Sequence, residues 1–294
     1  MTLFTNIKSF DKSFLLKLWL SLILYQLSVC PVSAQKDTMD IKDYILIINT
    51  YTESFPWSNR LISTATNFVK DDPKLAVYTE HMNMIMIDND SILDQFKDSL
   101  FDRYGSHCPR MLLLLGNSSL ILKDDLRKMW GDIPMVLCAG KDYTGPEHYY
   151  LTKQPIPLSE RVPLAELSQS CNLTYLYANL YIHENVEMMF RTLPRMKRFI
   201  YVGDERFVNQ VNSQEIQEIL RTKHPDVHYT FLSSRDIKKT NQLIDSLNFV
   251  DPRTTGILFS SWFHKRQFAG NMMLTMILPE IVSTVSPPIF ALNM

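Results

Sequence analysis

Glycine is scarce in this sequence, at 8 of 294 residues. Phosphate-cradling loops need glycines where the backbone approaches the ligand, and neither GxxxxGK followed by Ser or Thr nor GxGxxG occurs. An excess of either charge is also missing, with 30 Lys and Arg against 31 Asp and Glu and no block of one sign along the chain. Nucleic acid, which is held by a basic face, is therefore not an expected partner. Cysteine is limited to Cys30, Cys108, Cys138 and Cys171, without CxxC or a Cys/His cluster at metal-ligand spacing, so no metal and no cofactor are expected. Cys108 precedes one predicted parallel strand and Cys138 ends another, which sets them at opposite ends of a sheet. The three later cysteines are thus read as buried thiols. The seven histidines are scattered, none in HExxH, and no serine lies in GxSxG. No catalytic residue is assigned, and the chain is expected not to be an enzyme.

What is present begins at the N-terminus. Lys8, Lys12 and Lys17 precede an apolar run from Leu18 to Val29, and Val32-Ser33-Ala34 supplies the small residues a signal peptidase accepts. Residues 1–34 are expected to be a signal peptide cleaved after Ala34. The alternative is an uncleaved membrane anchor, since 14–32 approaches the ~20 residues a bilayer requires. A lipidated Cys30 is disfavoured by the bulk of Val29. The protein is therefore expected in the periplasm or another extracytoplasmic space, with membrane anchoring through 1–34 if that segment is retained.

Single cores stop growing near roughly 250 to 300 residues, so two lobes are expected. From Tyr44 onward, apolar runs alternate with amphipathic stretches. Strands are predicted at 44–48, 75–79 (continuing toward 84–87), 111–115 and 134–138. Between them lie helices opening at Ser58, at 91–104 and at 120–130. The Ser58 helix has Leu61, Ile62, Ala65 and Phe68 at helical spacing, and the 91–104 helix has Ile92, Leu93, Phe96 and Leu100 on one face. Residues 144–163, with Pro146, Pro155, Pro157 and Pro163, show no period and are read as an irregular surface excursion. A helix is predicted at 175–190. A second series follows, with strands at 199–202, 227–232 and 256–259, helices at 211–222 and 237–249, and a strand entry at 287–292. Strands alternating with helices imply right-handed crossovers and a parallel sheet in each half. The expected class is α/β with two doubly wound parallel-sheet lobes, 41–190 and 191–294. The second lobe is read as truncated, because its last strand stands uncovered.

The run Ile45 to Tyr51 followed by Phe55-Pro56-Trp57, and the passage from Asn185 through Pro194 to Ile200-Tyr201-Val202-Gly203-Asp204, resemble the extracytoplasmic sensor region of bacterial hybrid two-component histidine kinases. That region is similar to ABC-transporter substrate-binding proteins of the type I periplasmic fold, and the resemblance spans about 44–292. It implies ligand sensing that feeds a phosphorelay, although this chain carries no kinase or receiver module. The alternatives are a solute-binding protein of an ABC importer and an exported α/β hydrolase. The implied partner is a small polar or sugar-like molecule, or a partner protein; a homodimer is compatible with this reading.

In open α/β sheets ligands sit beyond the carboxyl ends of the strands. The candidate binding residues are therefore those at predicted strand tips. They are Asn49, Thr50, Tyr51 and Trp57 in the first lobe, with Asn117 and Ser118 after the third strand and Lys141 after the fourth. Asp204, Arg235, Ser260 and Trp262 follow strands of the second lobe. Trp57 and Trp262 come from opposite lobes and suggest an aromatic sandwich. The plainer alternative gives Asn49 and Thr50 to backbone hydrogen bonding, Asn117 and Ser118 to helix capping, and the tryptophans to ordinary packing.

Overall fold

The computed structural model describes residues 43–53, 55–263 and 277–292. The expectations for 1–34 lie outside these residues. Strand β1 (Tyr44–Asn49) carries Leu46, Ile47 and Ile48 fully buried, because it runs between two parallel neighbours. Those neighbours are β2 (Ala76–His81), in register from Tyr44 with Ala76, and β3 (Met111–Leu115), in register from Ile45 with Met111. Beyond β3 lie β4 (Met135–Ala139) and the edge strand β7 (Leu173–Tyr177), giving the order β2-β1-β3-β4-β7. The second sheet has the order β11-β10-β8-β9, built from β8 (Arg198–Gly203), β9 (His228–Ser233), β10 (Thr255–Phe259) and β11 (Ile289–Ala291). Every pairing within these two sheets is parallel. The first four strands of each sheet share one order, so the strand order reverses between β1 and β3 in one sheet and between β8 and β10 in the other.

Helices occupy the crossovers. In the first lobe these are α1 (Pro56–Val69), α2 (Asp90–Tyr104), a 3-10 turn (Asn117–Leu122) continuing into α3 (Lys123–Trp130), and α5 (Leu164–Ser170). Leu61, Ile62 and Ala65 of α1 pack on Ile47 and Leu115, as their spacing predicts. Phe68 does not join them and is 90% exposed. In the second lobe α6 (Ile182–Thr192) and α7 (Phe207–Lys223) cover one face of the sheet. There Val186, Met189, Ile216 and Leu220 meet Phe199, Tyr201 and Leu258. On the other face α8 (Thr240–Asn248) and α9 (Leu278–Thr284) bring Leu243, Leu247 and Ile281 against Ile200, Val202, Ile257 and Phe259. Helix α6 falls within the span that the sequence reading gives to the first lobe, yet its buried face packs on the second sheet.

Two local expectations are corrected. The span 175–190 does not begin as a helix: residues 173–177 form strand β7, whose Leu176 and Tyr177 are exposed because an edge strand buries little. The excursion at 144–163 is ordered. Its β5 (Tyr143–Thr144) pairs antiparallel with β6 (Val162–Pro163), and α4 (Glu147–Thr152) ends at Lys153 in the left-handed region, φ 58°. The ammonium of Lys153 donates to the carbonyl oxygens of Ile87 (2.5 Å) and Leu151 (3.1 Å), tying the excursion to the loop after β2. Among the cysteines, Cys138 and Cys171 are buried thiols as expected. Cys108 is a free, exposed one, because the turn before β3 lies at the surface. No helix of the described residues is long and apolar enough to cross a membrane.

Candidate functional site

The loops leaving the carboxyl ends of β1, β2, β3, β4 and β8 converge, together with Phe263 beyond β10, on one cleft of about 770 Å³, counting the solvent at its mouth. Its first-lobe wall comprises Thr50, Tyr51, Thr52 and Phe55 after β1, Asn83, Met84 and Ile85 after β2, Gly116, Asn117 and Ser118 after β3, and Gly140 and Lys141 after β4. Lys153 completes that wall, and the second lobe contributes Arg206, Phe207, Val208 and Phe263. The place is the one that strand-order reversal in both sheets dictates.

Close approach in the first lobe depends on Gly116, whose φ of 96° excludes most side chains. A Cβ there would stand 2.4 Å from the Thr50 hydroxyl and 3.3 Å from the Tyr51 ring. The Thr50 hydroxyl donates to the Leu115 carbonyl (2.7 Å), locking the tips of β1 and β3 together. Asn49 turns the chain: its Oδ1 accepts from the Tyr51 amide (3.1 Å) and its amide nitrogen bonds His81 Nδ1 (2.9 Å). Asn117 is occupied on both ends of its side chain. Its amide nitrogen donates to the carbonyls of Lys141 and Tyr143 (2.8 Å each), and its oxygen accepts from the amides of Gly140 (2.9 Å) and Lys141 (3.2 Å). That side chain fixes the β4 loop. Asn83 is different. It sits in the left-handed region, φ 47°, and its buried Oδ1 accepts no hydrogen bond among the described residues.

The second lobe places one charge pair at the cleft floor. Asp204, with 0% exposure, accepts from Arg206 Nε (2.8 Å) and Nη2 (2.7 Å), and from the Arg206 amide at 3.1 Å. Beneath it, Asn209 donates to Asp204 Oδ1 (2.8 Å), and the Ser261 hydroxyl donates to Oδ2 (2.8 Å). The hydroxyls of Ser260 (2.9 Å) and Tyr201 (2.8 Å) then donate to Asn209 Oδ1. Burial disfavours the Asp204 carboxylate, but the charge and hydrogen bonds of Arg206 outweigh it and hold its pKa below the usual carboxylate range. Burial likewise works against the Arg206 cation, and the Asp204 charge reverses that. Tyr51 is pushed upward by burial first, so it stays a neutral phenol.

Arg206 also crosses between the lobes. Its guanidinium carbon lies 4.9 Å from the centre of the Phe55 ring and 6.0 Å from that of Tyr51, rings that stack on each other at 4.5 Å. Two further contacts join the lobes: Lys141 Nζ to Glu215 Oε2 at 2.8 Å, and the rings of Tyr150 and Phe207 at 4.6 Å between centres.

Of the residues singled out from sequence, Thr50, Tyr51, Asn117, Ser118 and Lys141 line the cleft. Asn49, Asp204 and Ser260 lie behind it as buried hydrogen-bonding supports. Arg235 is exposed and is not in the cleft wall, since the turn after β9 carries it away. Trp262 is a correction: it has 0% exposure and packs among Val202, Leu243, Phe259 and Ile281 in the second-lobe core. Trp57 stands edge-on to Tyr51, 36% exposed, so the proposed tryptophan sandwich does not exist. Aromatic walls are present, but Tyr51, Phe55, Phe207 and Phe263 supply them. Sequence reasoning missed Arg206, Phe55, Phe207, Lys153 and Asn83. Arg206 was within reach, because an Asp at a strand tip two residues before an Arg at a helix start is a ready side-chain pair.

No protein-family model matches the chain, and none of the curated proteins matches it. Among solved structures it is similar to a protein assigned as a LacI transcriptional regulator from Bacteroides fragilis. The TM-score is 0.50 at 9% identity, covering 85% of this chain and 76% of that one. Lower likeness, with a TM-score of 0.42, extends to the ligand-free open form of a substrate-binding protein with adhesive properties from Clostridium difficile (12% identity, 85% of this chain, 74% of that one). The same score is found for a carbohydrate transporter solute-binding protein from Agrobacterium radiobacter solved with D-arabinose (11% identity, 74% and 66%). At these identities the likeness concerns the fold alone. The fold is the mixed α/β plan of type I periplasmic-binding-like proteins, with two parallel sheets whose strand tips share one cleft.

Proposed function

We propose that this chain is an extracytoplasmic ligand-sensing module that acts by binding a small molecule between its lobes. The supporting observation is the convergence of strand tips from both sheets on one cleft, with directed polar groups set in aromatic and aliphatic walls. A ligand touching both lobes favours the form in which they are together, and an attached element reads that shift of population.

Membership of a two-component sensor rests on the resemblance of 45–57 and 185–204 to histidine-kinase sensor regions, with the segment 1–34 serving for export or anchoring. A solute-binding protein of an ABC importer uses the same cleft. Coding sequence for a kinase directly downstream supports the sensor, whereas permease and ATPase genes there support the importer. Binding itself is tested by a thermal-shift screen of the purified protein with sugars, amino acids and organic acids. The expected result is a raised melting temperature with one chemical class. A flat response across all classes contradicts the reading.

A further inference from the structure

The hydrogen-bond state of the cleft constrains what it can hold. A guanidinium has five N–H groups arranged along three edges. In Arg206 the side edge, Nε and one hydrogen of Nη2, is taken by Asp204. Among the described residues no acceptor meets Nη1 or the remaining Nη2 hydrogen. The end edge, the two-pronged donor that matches a carboxylate, is therefore uncommitted on a side chain that lines the cleft. The Asp204 clamp, itself braced by Asn209 and Ser261, fixes the direction of that edge in advance. Lys141 and Lys153 also line the cleft, and no carboxylate does among the described residues.

The side-chain acceptors of the described cleft wall are hydroxyl and amide oxygens, with no carboxylate among them. Each sugar hydroxyl brings a donor that must be met, or its burial costs free energy. Asn117 Oδ1 is already filled by two backbone amides, whereas the Thr50 hydroxyl spends its hydrogen on the Leu115 carbonyl and keeps its lone pairs to accept with. Among the described lining residues, Asn83 Oδ1 is a buried acceptor that receives no hydrogen bond. Beside the hydroxyls of Thr52 and Ser118, the wall offers flat and apolar surface from the Tyr51 ring, Phe55, Met84, Ile85, Phe207 and Phe263.

We infer that the cleft takes a small organic monocarboxylate with an aromatic or apolar body, its carboxylate received by the end edge of Arg206 and a donor group, where it has one, by Asn83. This rests on the reading of the cleft as a small-molecule site and narrows it away from sugars.

The test is calorimetric titration of the wild-type protein with phenylacetate and 4-hydroxyphenylacetate, their methyl esters, and D-arabinose. The same titrations are run on the Asp204→Asn/Arg206→Gln double variant, which removes both charges together so that neither is left buried alone. At least one acid is expected to bind the wild type, its ester about tenfold or more weakly, and the preference for acid over ester is expected to vanish in the double variant. Ester binding equal to acid binding overturns the inference, and the wild-type comparison gives that result even if the variant does not fold. Retention of the acid preference by a folded double variant overturns it too. Binding of D-arabinose with none of the acids overturns the inference while leaving the small-molecule reading intact. Silence from all five probes overturns the inference, and the broader screen then decides the reading.

Discussion

Asp204 and Arg206 are the pair on which the cleft floor depends, and their coupling has a sign that can be checked. The folded-state pKa of Asp204 lies below its ordinary value, so its contribution to stability is fully present above about pH 4 and is lost as the pH falls through the depressed folded value. Asp204→Asn leaves the Arg206 cation buried without a counter-charge, a change expected to cost roughly 3 to 5 kcal/mol in urea unfolding at pH 7. The double replacement Asp204→Asn/Arg206→Gln is expected to cost less and to flatten the acid limb of stability below about pH 4. An unchanged acid limb speaks against the pair. The tryptophans separate just as clearly. Trp262→Ala empties a fully buried site and is expected to lose about 3 to 5 kcal/mol, whereas Trp57→Phe should stay within about 1 kcal/mol. The sequence places both tryptophans near strand tips or turns. Whether such a residue faces the cleft or folds back into the core depends on the path of the loop, which no local pattern reveals.

At the scale of elements, the apolar runs at 44–48, 111–115, 134–138 and 199–202 were readable as strands because each is buried on both faces, and a continuous run is what such a strand demands. Strand β7 was not, because Thr174, Leu176 and Tyr177 are exposed on an edge strand and the following helix begins only four residues on. The excursion at 144–163 was opaque for a related reason. Its order comes from distant partners such as the Ile87 carbonyl rather than from its own periodicity. The tip of β3 offers the sharpest test of an element. Gly116→Ala forces a side chain into a positive φ and against the Thr50 hydroxyl, whereas Gly131→Ala, at φ 77°, meets open space. Both should destabilise, but Gly116→Ala by more than the ~1 kcal/mol of backbone strain alone. Equal losses in denaturant unfolding would remove the packing argument for that glycine.

For the molecule as a whole, the plan of two parallel sheets followed from the alternation of elements. The joining of the lobes did not, because among the described residues it involves side-chain meetings with no sequence signature, such as Arg206 over Phe55 and Tyr51, Lys141 with Glu215, and Tyr150 with Phe207. One of these meetings is an ion pair with a half-exposed carboxylate, and a bound molecule that touches both lobes adds to the contacts between them. The most direct measurement is hydrogen–deuterium exchange on the purified protein with and without the strongest compound from the thermal-shift screen. Slowed exchange is expected together at residues 50–55, 83–85, 116–118 and 140–141 of the first lobe and at 206–208 of the second. Protection confined to one lobe, or lying away from these strand tips, contradicts a binding site shared between the sheets.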